Sequence, residues 1–372
     1  MKIYKPNRFM RTDQLTFTRF FAAISIVIFH YGNNIFPFYS EPVDFLFKQA
    51  NIGVSYFFIL SGFVMIIAYK ERGEIEYVDF VKRRFARIYP VYALAILVLL
   101  IYYILILKSF GYKSVILNLT LLQSWVPGFA LSFNTPGWSL AVEMFFYISF
   151  PFLFNHFYNK YSLKSLLVPI ILFFFISQLA FLFLTSSTFY DGFPSKSHDI
   201  LYFFPLMHFN EFLIGNLAGM FFLRGIKVRN YDFYIITLIF LLGFLLKINT
   251  EINLHNGMLA FVFVPLIILI SANNGLLTRL SNKKFLVFLG EISYSIYILQ
   301  KPIFLWVEEL MKYFNITNSA VIFYLALLIL ILFSAISYKY FEIPMRELIN
   351  KKRISISNKT FLIKNLIKRP TY

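Results

Sequence analysis

The sequence predicts an all-α membrane protein with about ten transmembrane helices and both termini in the cytoplasm. Three observations carry this. Of 372 residues, 59% are hydrophobic and only 14% charged. Apolar runs of about 17–25 residues, long enough to cross a bilayer as helices, recur along the chain. Lysine and arginine cluster in every second segment between those runs.

The spans fall at about 15–33, 52–69, 88–107, 137–156, 163–184, 201–223, 231–248, 257–272, 285–306 and 318–341. Val115–Leu131 is apolar but broken by Asn118, Gln123, Pro127 and Gly128, and reads as a re-entrant or interfacial piece. The segments before span 1, after span 10 and on the same side between them hold 26 Lys/Arg, against seven on the opposite side. The positive-inside rule therefore places both ends in the cytoplasm. The organisation is a basic cytoplasmic N-terminus (1–14), one membrane domain (15–344) and a basic cytoplasmic tail (345–372). The first apolar stretch is too long for a signal peptide and lacks a small-residue cleavage site, so it reads as a retained span. With that distribution, the net charge of +17 reflects topology and anionic-lipid contact, not nucleic-acid binding. There is no Cys, which excludes disulfides, thiolate metal sites and a cysteine nucleophile.

Span 1 carries two ionisable groups, Arg19 near its start and His30 near its end. Such a residue inside a spanning helix costs roughly 2.5–3.5 kcal/mol on insertion scales, so it usually faces a cavity or a partner. Eleven helical steps of about 100° place both on one face, about 16 Å apart along the axis. The plainer reading is an arginine that snorkels to the headgroups and a histidine that marks the opposite interface. As span 3 begins, Lys82-Arg83-Arg84-Phe85-Ala86-Arg87 puts guanidinium groups at i,i+3 and i,i+4. Arginine forks suit phosphate, although any cytoplasmic loop can be a basic anchor. In Trp138-Ser139-Leu140-Ala141-Val142-Glu143, the carboxylate enters span 4 about 9 Å below the outer surface. That roughly matches the depth of His30, where a carboxylate would orient the imidazole; the alternative is a structural hydrogen bond. His208, Asn210 and Glu211 are further intramembrane polar groups, and no His/Cys set completes a metal site.

Taken together, Arg and His with ten residues between them, Gly53-Val-Ser-Tyr-Phe-Phe-Ile-Leu-Ser-Gly62, Arg-Arg-x-x-Arg-Ile-x-Pro, Trp-Ser-Leu-x-x-Glu, Glu211-Phe-Leu-Ile-Gly215, Ser-Tyr-Ser-Ile-Tyr and Tyr-Phe-Glu-x-Pro resemble the acyltransferase-3 family. These are membrane O-acyltransferases like the bacterial O-antigen and exopolysaccharide acetylases. The motifs run in order from Arg19 to Pro344, nearly the whole chain. The resemblance implies acyl transfer, usually of acetyl from acetyl-CoA, to a sugar hydroxyl of a surface or lipid-linked glycan at a bacterial cytoplasmic membrane. It matches Arg19 and His30 to the family's paired catalytic motif, Arg83, Arg84 and Arg87 to its basic loop, and Glu143 to its carboxylate. Two positions depart: Ser55 stands where many members have Asp, and Gln300 where many have His. No esterase-like domain follows span 10, so the membrane part is expected to act alone.

Thioester acyl transfer needs a base, a site for the developing oxyanion and an anchor for the donor. The expected assignment rests acyl-CoA phosphates on Arg83, Arg84 and Arg87 and threads the pantetheine arm past Arg19. Glu143 orients His30, which deprotonates the acceptor hydroxyl or first takes the acyl group. No metal is called for. The rival reading is a transporter or flippase of acyl groups or lipid-linked glycan, which predicts inverted repeats and helices broken in matching halves; neither is visible.

Overall fold

The computed structural model describes residues 13–70, 73–248 and 253–351. The basic segment before residue 13 and most of the basic tail lie outside them. Among the described residues there is no strand, only an isolated bridge between Arg229 and Asn273.

Helices follow in the order α1 (Asp13–Val27), α2 (Asp44–Lys48), α3 (Gly53–Tyr69), α4 (Tyr77–Tyr102), α5 (Tyr112–Leu119), α6 (Trp138–Leu153), α7 (Leu163–Thr185) and α8 (Lys196–Tyr202). They continue with α9 (Phe209–Phe222), α10 (Asp232–Lys247), α11 (Ala260–Ala272), α12 (Leu276–Ser281), α13 (Lys284–Tyr313) and α14 (Ser319–Ser337). Side-chain caps fix several starts. Glu76 accepts from the Asp79 amide before α4, and Asn318 accepts from Ala320 and Val321 before α14. Single π turns extend α1, α4, α6 and α14 over Ile28–Gly32, Tyr103–Leu107, Phe154–Tyr158 and Tyr338–Glu342.

Among the described residues, six helices are long and apolar enough to cross a membrane: Gln14–Gly32, Ala50–Tyr69, Tyr77–Leu107, Thr135–Tyr158, Leu163–Thr185 and Ser319–Lys351. The other four expected spans also hold helices, with differences that have local causes. The stretch 201–223 is not one helix. Pro205 forces Phe204 into extended backbone (ψ 131°), and a 3₁₀ turn separates α8 from α9. Helices α10 and α11 have only 16 and 13 residues. Helix α13 is 30 residues long but carries Lys284, Glu291, Lys301, Glu308, Glu309 and Lys312. The interrupted segment after α4 is a short helix and a turn, tied down by buried Asn118 and Gln123. Asn118 donates to the carbonyls of Ser114 and Ser132, and Gln123 to that of Gly137.

Close helix crossings set the frame. A Cβ on Gly62 would fall 2.3 Å from the Phe212 carbonyl oxygen, and one on Gly215 would fall 2.1 Å from that of Ile59. Helices α3 and α9 therefore meet backbone to backbone, the small-residue packing that suits helices in lipid. Gly290 does the same for α13 against Thr16 of α1. Outward, α7 exposes Leu172, Phe175, Ile176, Leu179 and Phe183, and α10 exposes Phe233, Phe240 and Phe244. Faces that apolar and that long need an apolar solvent.

Candidate active site

A cavity of about 390 Å³ opens among α1, α3, α4, α6, α13 and the helical end of the α14 segment. That is the size of a small-molecule site, roughly 300–1,000 Å³. Its chemistry is unusual for a bundle interior: Arg19, Arg84, Arg87 and Arg346 line it, with Glu143, Glu291 and Glu342. Among the described residues none of these guanidinium groups lies within 4.0 Å of a carboxylate.

The carboxylates are taken up by hydroxyls instead. Tyr147, one turn after Glu143 on α6, donates its hydroxyl to the Glu143 carboxylate. Ser295 Oγ donates to Glu342 Oε2 at 2.8 Å. Arg84 is held by rings, its guanidinium 5.7, 5.3 and 5.6 Å from the centroids of Tyr69, Phe80 and Tyr147. Arg19 is within electrostatic reach of Arg87, Glu143, Tyr147 and Tyr56. Four cations around one space, with hydroxyls on the acids, leave positive charge for an anionic guest.

Three expectations need correction. Arg83 does not join Arg84 and Arg87: it is exposed and lies outside the cavity lining, one helical step off their face. His30 does not share the cavity with Arg19. The helix changes from α to π at Ile28, where each residue turns less than 100°, and His30 emerges exposed at the far end. Glu143 is not the partner of His30, because Tyr147 takes its carboxylate. That partner is Gln300 on α13, whose Oε1 lies 2.8 Å from His30 Nδ1.

Helix α13 links the two regions. Gln300 Nε2 donates to the carbonyl of Tyr297, a residue of the cavity wall. The Tyr297 hydroxyl lies 2.9 Å from Ser139 Oγ on the opposite wall. Beyond them, Lys301 Nζ donates to Thr135 Oγ1 at 3.1 Å.

His208 and Glu211 do meet, Nδ1 to Oε2 at 2.8 Å, while His208 Nε2 donates to the Tyr202 carbonyl at 2.9 Å. They stand behind the cavity wall, with the rings of Phe58 and Trp138 5.1 and 5.3 Å from the imidazole. Sequence reasoning missed Arg346, assigned to the tail. Its signal was its position one turn after Glu342, at i,i+4.

The family model described as an acyltransferase domain (Acyl_transf_3) matches residues 13–339. The chain belongs to this acyltransferase-3 family. Among its relatives, acyltransferase MdmB of Streptomyces mycarofaciens is 36% identical over 157 residues, 39% of this chain and 40% of that protein. O-acetyltransferase OatA of Staphylococcus aureus (strain NCTC 8325 / PS 47) is 22% identical over 377 residues, covering 93% of this chain. That match covers 58% of OatA, so the acyltransferase-3 chain spans about half the length of these two relatives. An uncharacterized protein of Haemophilus influenzae (strain ATCC 51907 / DSM 11121 / KW20 / Rd) is 28% identical over 246 residues, 59% of this chain and 98% of that one. No solved structure matches the chain.

Proposed function

We propose that this acyltransferase moves an acyl group, acetyl foremost, from cytosolic acyl-CoA to a hydroxyl of an extracytoplasmic or lipid-linked glycan. It would do so from a bacterial cytoplasmic membrane, with ten spans and both termini inside. The observation that carries the reading is the cavity with four guanidinium groups, none of them within 4.0 Å of a carboxylate among the described residues. A nucleotide donor rich in phosphate is the guest that such a cavity suits, and the basic end of α4 belongs to the predicted cytoplasmic side.

In this reading Arg84, Arg87 and Arg346 hold the donor phosphates, and the acyl end points past Arg19 toward Tyr297 and Ser139. His30 takes the proton of the acceptor hydroxyl as its oxygen attacks the thioester carbonyl. The carbon–sulfur bond then breaks, and the proton passes to the departing thiolate, so no net proton is consumed. Glu143, held by Tyr147, tempers the positive field beside Arg19.

The test is mass spectrometry of surface glycans from a deletion strain, complemented with wild-type or His30→Ala protein. Acylation should vanish on deletion, return with wild type and stay absent with the variant at equal membrane abundance. Glycans acylated normally in the deletion strain would refute the activity; full rescue by the variant would refute the role of His30.

A further inference from the structure

His30 can act as a base only through a ring nitrogen with a free lone pair, and neutral imidazole has two tautomers. Gln300 decides between them. Its side chain is fully buried, and its terminal amide is pinned from two sides. On one side lies the Tyr297 carbonyl oxygen, 2.7 Å away. A carbonyl only accepts, so the amide must present its NH₂ there. That leaves Oε1 toward His30, 2.8 Å from Nδ1. An amide oxygen also only accepts, so Nδ1 must carry the hydrogen. Nε2 is then the nitrogen with the lone pair, and among the described residues it has no hydrogen-bond partner.

We propose that Gln300 is a positioning residue that locks His30 in its Nδ1–H tautomer and leaves Nε2 as the base. The proposal rests on the reading of His30 as the base. An amide alone does not dictate a tautomer, since it can turn over and offer its NH₂ instead. The Tyr297 carbonyl, fixed in the backbone of α13, removes that freedom. Because Nδ1–H is bound in both the neutral and the protonated ring, the imidazole need not reorient as Nε2 takes and releases a proton. Lys301, a charged group within electrostatic reach of the ring, lies one residue beyond Gln300 on α13 and is held by Thr135. The geometry thus gives this chain a neutral amide in the role that a carboxylate plays in a Ser-His-Asp triad.

The experiment has two parts and uses the full-length protein. Protein labelled with ring-¹⁵N histidine is reconstituted in lipid, and the His30 signals are assigned by difference from His30→Ala. At a pH where the ring is neutral, wild type should show protonated Nδ1 and bare Nε2. Gln300→Leu should lose that preference. In membrane vesicles carrying the cell's own glycans, with radiolabelled acetyl-CoA on the cytoplasmic side, Gln300→Leu should lower the maximal rate about 100-fold. The donor KM should stay within about twofold, because the substitution touches no donor contact. Protonated Nε2 in wild type overturns the proposal, as does a wild-type rate in Gln300→Leu. Label transfer by His30→Ala refutes the base itself, and is read separately from both.

Discussion

The hydroxyl of Tyr147 donates to the carboxylate of Glu143 one turn earlier on α6, so Glu143 engages a neutral partner although four arginines share its cavity. Tyr147→Phe frees that carboxylate to pair with Arg19 or Arg84. The donor KM should rise about fivefold, the scale of one ordinary net hydrogen bond of about 1 kcal/mol, with the maximal rate little changed. Initial rates against acetyl-CoA concentration measure this. An unchanged KM would mean the carboxylate does not compete for the arginines.

The arginines divide by position. Arg87→Gln and Arg346→Gln should each raise the donor KM about tenfold, the loss of a charge-assisted contact. Arg83→Gln, which alters a guanidinium outside the cavity, should change it by less than about twofold. Equal effects at 83 and 87 would indicate that bulk surface charge, and not the cavity, attracts the donor.

Gly215→Ala places a methyl against the Ile59 carbonyl, where only movement of a whole helix makes room. Overpacking of this kind costs about 1–3 kcal/mol or more. Gly243→Ala on α10 is the control, since its nearest neighbour would be 3.8 Å away at Phe45. Fluorescence-detected size exclusion after heating should show a marked loss for the first and none for the second. Equal melting would mean α3 and α9 are less tightly apposed.

Exchanging Phe29 and His30 keeps composition and nearly keeps depth, but swings the imidazole away from Gln300. Transfer should fall to background while membrane insertion is unaffected. Glycan acylation at the wild-type level in the exchanged protein would show that the position of the imidazole on the π turn is immaterial.

His255, in the loop before α11, is held down to about 4, first by burial and then by the nearby His208 and His198. Its Nε2 is 3.0 Å from Asn51 Nδ2, which donates to it. A lowered histidine pKa favours the neutral folded form, so the stabilisation is present above the ordinary value near 6.5 and is lost as pH falls from there toward 4. Melting temperature in detergent should drop across that window, and His255→Gln should flatten the drop. An identical acid slope in both proteins would exclude His255 as its source.

How much of this was legible beforehand depended on the range of the interaction. Apolar runs with basic punctuation revealed the helices, because crossing lipid imposes length and charge rules on each segment alone. Arg84 with Arg87 was legible for the same reason: their spacing is local to one helix. The partners of His30 and Glu143 were not. Matching their depths suggested a pair, yet the carboxylate found a closer hydroxyl one turn away. His30 met a glutamine 270 residues later on a helix whose rotation no local pattern fixes. The break at Pro205 had a local signal that the single expected span 201–223 passed over; the π turn at Ile28 had none.

Among the described residues four helices carry a π turn, and each such turn takes up about one residue more than an α turn does. Relatives that keep these helices purely α-helical would then differ from this chain by single-residue gaps inside apolar stretches. Such gaps are easily dismissed as alignment noise. The interval between Arg19 and His30 ends within one of those turns. A homologue with nine or eleven residues between its Arg and His therefore need not have lost the placement of either side chain; the extra or missing residue can be absorbed in the turn, and the motif is better searched for with a variable spacer than with a fixed one.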